Sequence, residues 1–303
     1  MSGARQIAQD GKEGIAPDAV HGEQGYLSGM HWRVSQQEQA IGRELAPIYA
    51  ELYHTRYYQT LRQLVGCQAK RLCAGIPHPR IVDLGCGPGS LARWLHRSMP
   101  DASVMGFDVS FDMLRAGHQA GAEVAFCSGV VEQLPFRSGS LDLVVGFSVL
   151  HHLPHLPRVW DEVARVLRPG GAFIFGEPHQ TPFDQWPWLV KLTKSLFAPL
   201  YLPLWLRNHR RRRPQLEHHA QHLVTEVHRS LTISELLTSV RGAPLAMQWN
   251  AAAVLTPLFL PMMFDDDGLE RGVFNLCWLV DTLFARWWPL LAAEVIVYGH
   301  RLP

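Results

Sequence analysis

Residues 80–97 read RIVDLGCGPGSLARWLHR, and three glycines at alternate positions, Gly85, Gly87 and Gly89, separate two differently patterned halves. Ile81, Val82 and Leu84 form the short apolar run of a buried strand, while Leu91, Trp94 and Leu95 recur at helical spacing. The glycines therefore occupy a strand-to-helix turn. Glycine permits positive φ there and removes the Cβ, so a ligand can come close to the backbone. The helix that follows begins with free N–H groups. The pattern predicts a nucleotide-binding turn in an open α/β sheet.

The rest of the chain extends that pattern. Strands are predicted at 80–84, 103–108, 123–127, 141–147 and 172–177, with helices near 89–98, 110–120 and 158–167. Strands alternating with helices imply a doubly wound, mostly parallel sheet with right-handed crossovers. Arg168-Pro169-Gly170-Gly171 reads as a turn that stops one helix and launches a strand. A last strand at 293–299 closes the chain, with 244–250 as its candidate partner. The expected division is a disordered tail at 1–25, an N-terminal helical lid at 26–75, a core at 76–178, an aromatic-rich insertion at 179–292 and a final core strand at 293–303. A net charge of +1 over 303 residues gives no case for general nucleic-acid binding. The five cysteines are scattered and lack CxxC spacing, and the polar start has no apolar signal region. Both readings predict reduced thiols and a cytoplasmic protein.

Open α/β sheets bind ligands at the carboxyl ends of their strands. Asp108 closes the second strand, where a carboxylate suits the two hydroxyls of a ribose. Ser90 stands where a dinucleotide fingerprint has its third glycine, and Pro88 removes one N–H from a phosphate cradle. Asp83, just before the turn, would repel phosphates and attract an ammonium group. The site therefore favours a nucleoside with an amino-acid tail over a pyrophosphate.

VDLGCGPG (82–89), GFDVSFDML (106–114), VVEQLPFRSGSLDLVVGFSVLHHL (130–153) and VARVLRPGGAFIFGEP (163–178) together resemble a class I S-adenosylmethionine-dependent methyltransferase of the type 11 group. The resemblance implies a Rossmann-like α/β fold and S-adenosyl-L-methionine as cofactor. It implies that Gly85, Cys86, Gly87 and Gly89 line the cofactor, that Asp83 lies near its methionine amine and that Asp108 holds the ribose. Val109 and Met113 would flank the adenine, with Val131 close by, and Phe147 would lie beside the sulfonium. One departure stands at Val130, where the group often has a carboxylate that accepts a hydrogen bond from the adenine amine. Loss of one neutral hydrogen bond costs about 1 kcal/mol, which weakens a cofactor site without abolishing it.

Methyl transfer is an in-line displacement, in which the protein positions the reactants and excludes water. A base is needed when the nucleophile must lose a proton. His151, His152 and Glu177 are the catalytic candidates, with His179 close to them in sequence. A structural role for each is the competing reading.

The acceptor must be read from outside the core. Leu196 to Leu206 are all apolar, and Arg207 and Arg210 to Arg213 follow them. That run is shorter than the ~20 residues of a membrane-spanning helix. Residues 186–213 are read either as a lid over a hydrophobic small-molecule or lipid acceptor, or as a peripheral membrane contact. Seven of the ten tryptophans lie beyond residue 180, which favours an aromatic cap. His218 and His222 share a helical face, but no ligand set accompanies them and no metal is expected. The expected activity is methyl transfer, O-methylation first. The alternatives are a non-catalytic cofactor-binding scaffold and a nicotinamide-dependent oxidoreductase.

Overall fold

The computed structural model describes residues 39–40, 42–44, 46, 56–121, 123–180, 188, 195, 231–253, 268–287, 289 and 292–303. Its strands are β1 (Arg80–Leu84), β2 (Ser103–Asp108), β3 (Ala125–Ser128), β4 (Leu141–Phe147), β5 (Leu167–Pro178), β6 (Leu245–Ala253) and β7 (Glu294–Arg301). They form a seven-stranded sheet in the order β3-β2-β1-β4-β5-β7-β6. The first five strands run parallel, and β7 is antiparallel to both β5 and β6. The helices are α1 (Arg56–Leu72), α2 (Ser90–Ser98), α3 (Phe111–Gln119), α4 (Leu156–Val166), α5 (Ile233–Ser239) and α6 (Gly268–Trp287). The chain reverses its direction of travel across the sheet between β1 and β4, the place where such sheets hold ligands.

The central strands read as nearly continuous apolar runs because both faces are covered. Val82, Leu84, Phe107, Val144, Phe173 and Phe175 face a core that includes Trp160 of α4, Leu236 of α5 and Ala285 of α6. Ile81, Leu143, Val145 and Ile174 face the other way, against Val65 and Ala69 of α1 and Leu91 and Leu95 of α2. Trp160 is fully buried, and its indole N–H donates to Ser239 Oγ at 2.8 Å, tying α4 to α5.

The doubly wound sheet expected from the sequence is present, with local corrections. The third strand is Ala125–Ser128 rather than 123–127, because its pairing with β2 runs from Met105↔Ala125 to Asp108↔Ser128. α4 begins at Leu156, ahead of the expected 158, since Pro157 is tolerated in a first helical turn. β5 begins at Leu167, so Arg168–Gly171 is a bulge inside a strand rather than a turn before one. Leu141 pairs with Leu167 and Leu143 with Ala172, which leaves the intervening residues looped out. Asp142 holds that bulge by accepting from Arg168 Nε and, at 2.8 Å, from the Arg80 backbone N–H. The last strand extends to Arg301 and pairs with β6, as the sequence anticipated.

Residues 268–287 form a helix where the sequence pattern suggests only an apolar block at 273–291. Phe274, Asp281 and Ala285 of α6 are buried, whereas Leu279, Leu283 and Trp287 are 59%, 53% and 74% exposed. The expected tail at 1–25 and nearly all of 186–213 lie outside the described residues.

Candidate cofactor and acceptor site

β1 delivers the chain into the glycine turn, and α2 starts at Ser90. Gly85, Gly87 and Gly89 all have positive φ, at 63°, 52° and 80°. A Cβ on Gly89 would come within 2.7 Å of the Phe126 ring, and one on Gly85 within 2.3 Å of Val149. Glycine is required here by both backbone conformation and space. Arg93 of α2 donates to the Pro88 carbonyl at 2.6 Å and closes the turn from above. The Cys86 thiol is buried, and burial, with Asp108 and Asp83 nearby, raises its pKa well above the ordinary value. It is therefore a neutral wall of the site.

Asp83 is 1% exposed. One carboxyl oxygen, Oδ2, finds no hydrogen-bond partner among the described residues. Desolvation raises its pKa to about 8; the backbone N–H of Ala92 and the nearby Arg62 act against that rise, and Asp108 adds to it. A buried carboxyl oxygen without a donor suits an incoming ammonium group. Asp108, at the end of β2, accepts from the Gly87 N–H with one oxygen and from the Ser110 N–H with the other, each at 2.8 Å. It therefore holds the glycine turn to the start of α3. Each oxygen retains acceptor capacity for a ribose hydroxyl. Val109 and Met113 follow it, with Met113 buried and capped by Ser110 Oγ at 3.3 Å. A Cβ on Gly42 would fall 2.0 Å from Ser110 Oγ, so the N-terminal helical residues lie against this corner. Val131 is buried in the core with Phe107 and Leu134. These groups fit the sulfonium nucleoside that the sequence resemblance implies.

At the end of β4, Phe147 is followed by Ser148, a non-glycine residue at φ 60°. Its N–H donates to the Gly176 carbonyl at 2.7 Å, which holds this strained corner against β5. Glu177, fully buried, accepts from the backbone N–H groups of Val149 and Leu150, both at 2.9 Å. His151 Nδ1 stands 2.9 Å from its other oxygen, and the His151 N–H donates there at 3.4 Å. The two oxygens of Glu177 thus fasten the turn after β4 and orient the His151 ring. His152 packs on that ring at 4.1 Å. His179 turns aside, with Nδ1 2.7 Å from the Ala292 carbonyl.

The structure adds a group of side chains beyond the predicted site residues. Tyr57 of α1 donates from its hydroxyl to Glu294 Oε1 at 3.0 Å, joining α1 to the start of β7. Its ring meets Trp278 of α6 edge-on at 6.3 Å, and Phe274 stacks on Trp278 at 5.8 Å. Tyr58 stands 5.3 Å from Tyr57. The Arg62 guanidinium lies 6.0 Å above the Phe147 ring. In the sequence, Tyr57 and Tyr58 are neighbours in a tyrosine-rich stretch, and Glu294 is the one acid at the head of an apolar strand. Neither pointed to the other.

With this geometry established, known proteins supply a frame. Residues 82–175 match the family model described as a methyltransferase domain. The chain is 37% identical over 101 residues to the phthiotriol/phenolphthiotriol dimycocerosates methyltransferase of Mycobacterium leprae, covering 32% of this chain and 37% of that one. It is 30% identical over 180 residues to the demethylmenaquinone methyltransferase of Chlorobaculum parvum, covering 53% of this chain and 73% of that one. The chain spans less than two fifths of the length of the first curated relatives it matches. The solved structure of the cyclase SpnF superposes with a TM-score of 0.58 at 16% identity, covering 88% of this chain and 96% of that one, and shares the fold.

Proposed function

The chain belongs to the class I S-adenosylmethionine-dependent methyltransferases, and from that premise we propose that it moves a methyl group from S-adenosyl-L-methionine to a hydrophobic small-molecule or lipid acceptor, at an oxygen. The observation that carries the acceptor class is the aromatic group of Tyr57, Tyr58, Trp278 and Phe274 beside the β5 and β7 end of the site. Such a wall favours an apolar body over a polar one. The two relatives above are named for phthiotriol dimycocerosates and demethylmenaquinone, which agrees with that class.

The cofactor, when bound, supplies an electrophilic methyl group. Asp83 would hold its amine, Asp108 its ribose, and Gly85 to Gly89 would let it approach the backbone. Val109 and Met113 would flank its base, and Phe147 would lie beside the reacting end. Val130 offers the adenine amine no carboxylate. His151, oriented by Glu177 at 2.9 Å, would take the proton of an acceptor hydroxyl, with His152 packed on it. Glu177 acts through His151 rather than on the acceptor. Residues 26–75 serve as a lid and 179–292 as the acceptor cap. Within that cap, residues 186–213, nearly all outside the described residues, would close over the acceptor as a lid or, alternatively, rest on a membrane surface. No helix among the described residues is long and apolar enough to cross a membrane.

The test is incubation with S-adenosylmethionine labelled in its methyl group. The acceptor panel sets long-chain alcohols, fatty acids and phenols against small polar acids. Label in the organic phase as an ether or ester supports the reading. Label only in polar acceptors overturns the acceptor class. Tight cofactor binding with no transfer to any acceptor overturns the catalytic reading in favour of a scaffold.

A further inference from the structure

The two edges of the sheet differ. β3, at one edge, is four residues long, and Glu123, two residues before it, pairs with Arg97 at 2.8 Å. A short strand with charges at its flank resists pairing with another chain. β6, at the other edge, is nine residues long and reads LAMQWNAAA, with no charge, proline or glycine. Among the described residues, no strand pairs with its outer side. Its pairing with β7 is regular from Leu245 to Ala251 and shifts before Ala253, so the irregularity lies at one end. Leu245, Met247, Trp249 and Ala251 share one face and pack on the core, while Gln248 and Asn250 are exposed on the other. α6 packs on β6 and buries Phe274, Asp281 and Ala285. Its opposite face exposes Leu279, Val280, Leu283 and Trp287. A long neutral edge and an apolar helix face beside it are both surfaces that proteins usually cover.

We propose that a second copy of this chain covers both: β6 pairs antiparallel with β6 of the second copy about a two-fold axis normal to the sheet, and the α6 faces close beside the pair. A two-fold interface requires a surface that complements itself. The regular run of β6 has Gln248 at its middle, so Gln248 meets its own counterpart, Met247 meets Trp249, Leu245 meets Ala251 and Ala246 meets Asn250. No like charges oppose one another, and two Met–Trp pairs form on the core side of the sheet. A charged partner finds no counter-charge on this edge. The ends of the strand also complement each other. Ala253 pairs with Glu294, Glu294 receives Tyr57, and Tyr57 meets Trp278, so α6 reaches the Ala253 end. Antiparallel pairing sets that end beside the Leu245 end of the second copy. There the exposed Leu302 donates its N–H to the Pro244 carbonyl at 2.9 Å. An apolar helix face thus meets an apolar chain end. A standard interface covers about 800 Å² on each partner, more than a strand edge alone supplies, and the α6 face with Leu302 adds apolar area to it. Pairing also steadies from outside the helix that carries Trp278 of the aromatic group.

The experiment is sedimentation equilibrium of the full-length protein, from below about 1 μM to about 100 μM. The expected result is a passage from one chain to two as concentration rises. Gln248→Lys sets two ammonium groups opposite each other and should weaken association about tenfold. Gln248→Glu should do the same by itself. An equal mixture of the two variants should regain the dimer, because opposite charges then meet. Trp287→Ser should weaken association about tenfold through lost apolar contact. Each altered residue is exposed, and an unchanged circular dichroism spectrum checks that the fold survives. A single chain at every concentration overturns the proposal. If that single chain sediments with phosphatidylglycerol vesicles, the α6 face belongs to a lipid surface instead. A dimer indifferent to all three substitutions also overturns it, since the contact then lies elsewhere. So does a mixture of the Gln248→Lys and Gln248→Glu variants that associates no better than either one alone.

Discussion

On the β2 side of the site, Asp108 reaches the Gly87 N–H across 21 residues of chain; on the β7 side, Tyr57 reaches Glu294 across 237. The first side is made largely of backbone: N–H groups, positive-φ glycines and one acid that ties them together. The second is made of side chains brought from α1, β5, α6 and β7. A local backbone site needs particular residues in a particular order. A site of convergent side chains needs only that distant elements meet, and it can change its ligand by changing one element. The two halves should therefore respond differently to substitution.

The largest expected effect is on the first half. Gly89→Val forces a β-branched residue to φ 80° and drives its Cβ into Phe126. Strain and overpacking together should cost about 3–5 kcal/mol in urea denaturation. A stability near that of the unaltered protein would show that the turn is softer than its geometry says. Glu177→Gln probes the second half. It presents an amide to a set of N–H donors that now share two carboxyl oxygens. A loss of about 3 kcal/mol is expected. A loss below about 1 kcal/mol would mean the turn after β4 holds without its acid.

The next effect joins the halves, since each contributes one buried acid. The pKa values of Asp83 and Glu294 rise in the folded protein from 3.8 and 4.5 to about 8. The native state then keeps protons that the unfolded chain has lost. The stability that these two acids contribute to the ligand-free protein should be fully present below about pH 4, fall as pH rises towards about 8, then level off. A total of about 2 kcal/mol is a fair expectation once relaxation around the groups is allowed for. Asp83→Asn and Glu294→Gln should each remove part of the slope in thermal melts. A flat profile between pH 5 and 8 would remove both acids from this account. The smallest effect returns to the first half. Asp108→Ala should weaken S-adenosylmethionine about tenfold, or 1.4 kcal/mol, in titration calorimetry. An unchanged affinity would confine Asp108 to holding the glycine turn.

The same contrast explains what was legible in the sequence. VDLGCGPG, the acid at 108 and the alternation from 79 to 177 lie close together, so local patterning revealed the sheet, the turn and Asp83. The bulge at Arg168–Gly171 was missed because its cause is a partner elsewhere: Asp142 binding Arg168 and the start of β1. α6 was missed as a helix because its outward face carries Leu279, Leu283 and Trp287 while its inward face buries Asp281, which blurs the usual stripe. Glu177 was selected for its chemistry, but its bonds to the turn after β4 depend on strand pairing. Tyr57 and Glu294 each carried a weak sign, and only their meeting gave it meaning.

The position of β7 has a consequence for how the site comes into being. β7 follows the other described strands in sequence, yet it lies between β5 and β6 and is, among the described residues, the strand that β6 pairs with. Chains emerge from the ribosome amino end first, at about 5–20 residues per second. The glycine turn and the five parallel strands can assemble while the remainder is still being made. β6 must wait without a neighbour, and Tyr57 without its acid, until Glu294–Arg301 arrives and slides between two strands already formed. During that interval the edge of β5 is open to pairing with other chains. The nascent protein thus forms the glycine turn early and joins Tyr57 to Glu294 only with β7, and a chain halted between the two would hold the first without the second.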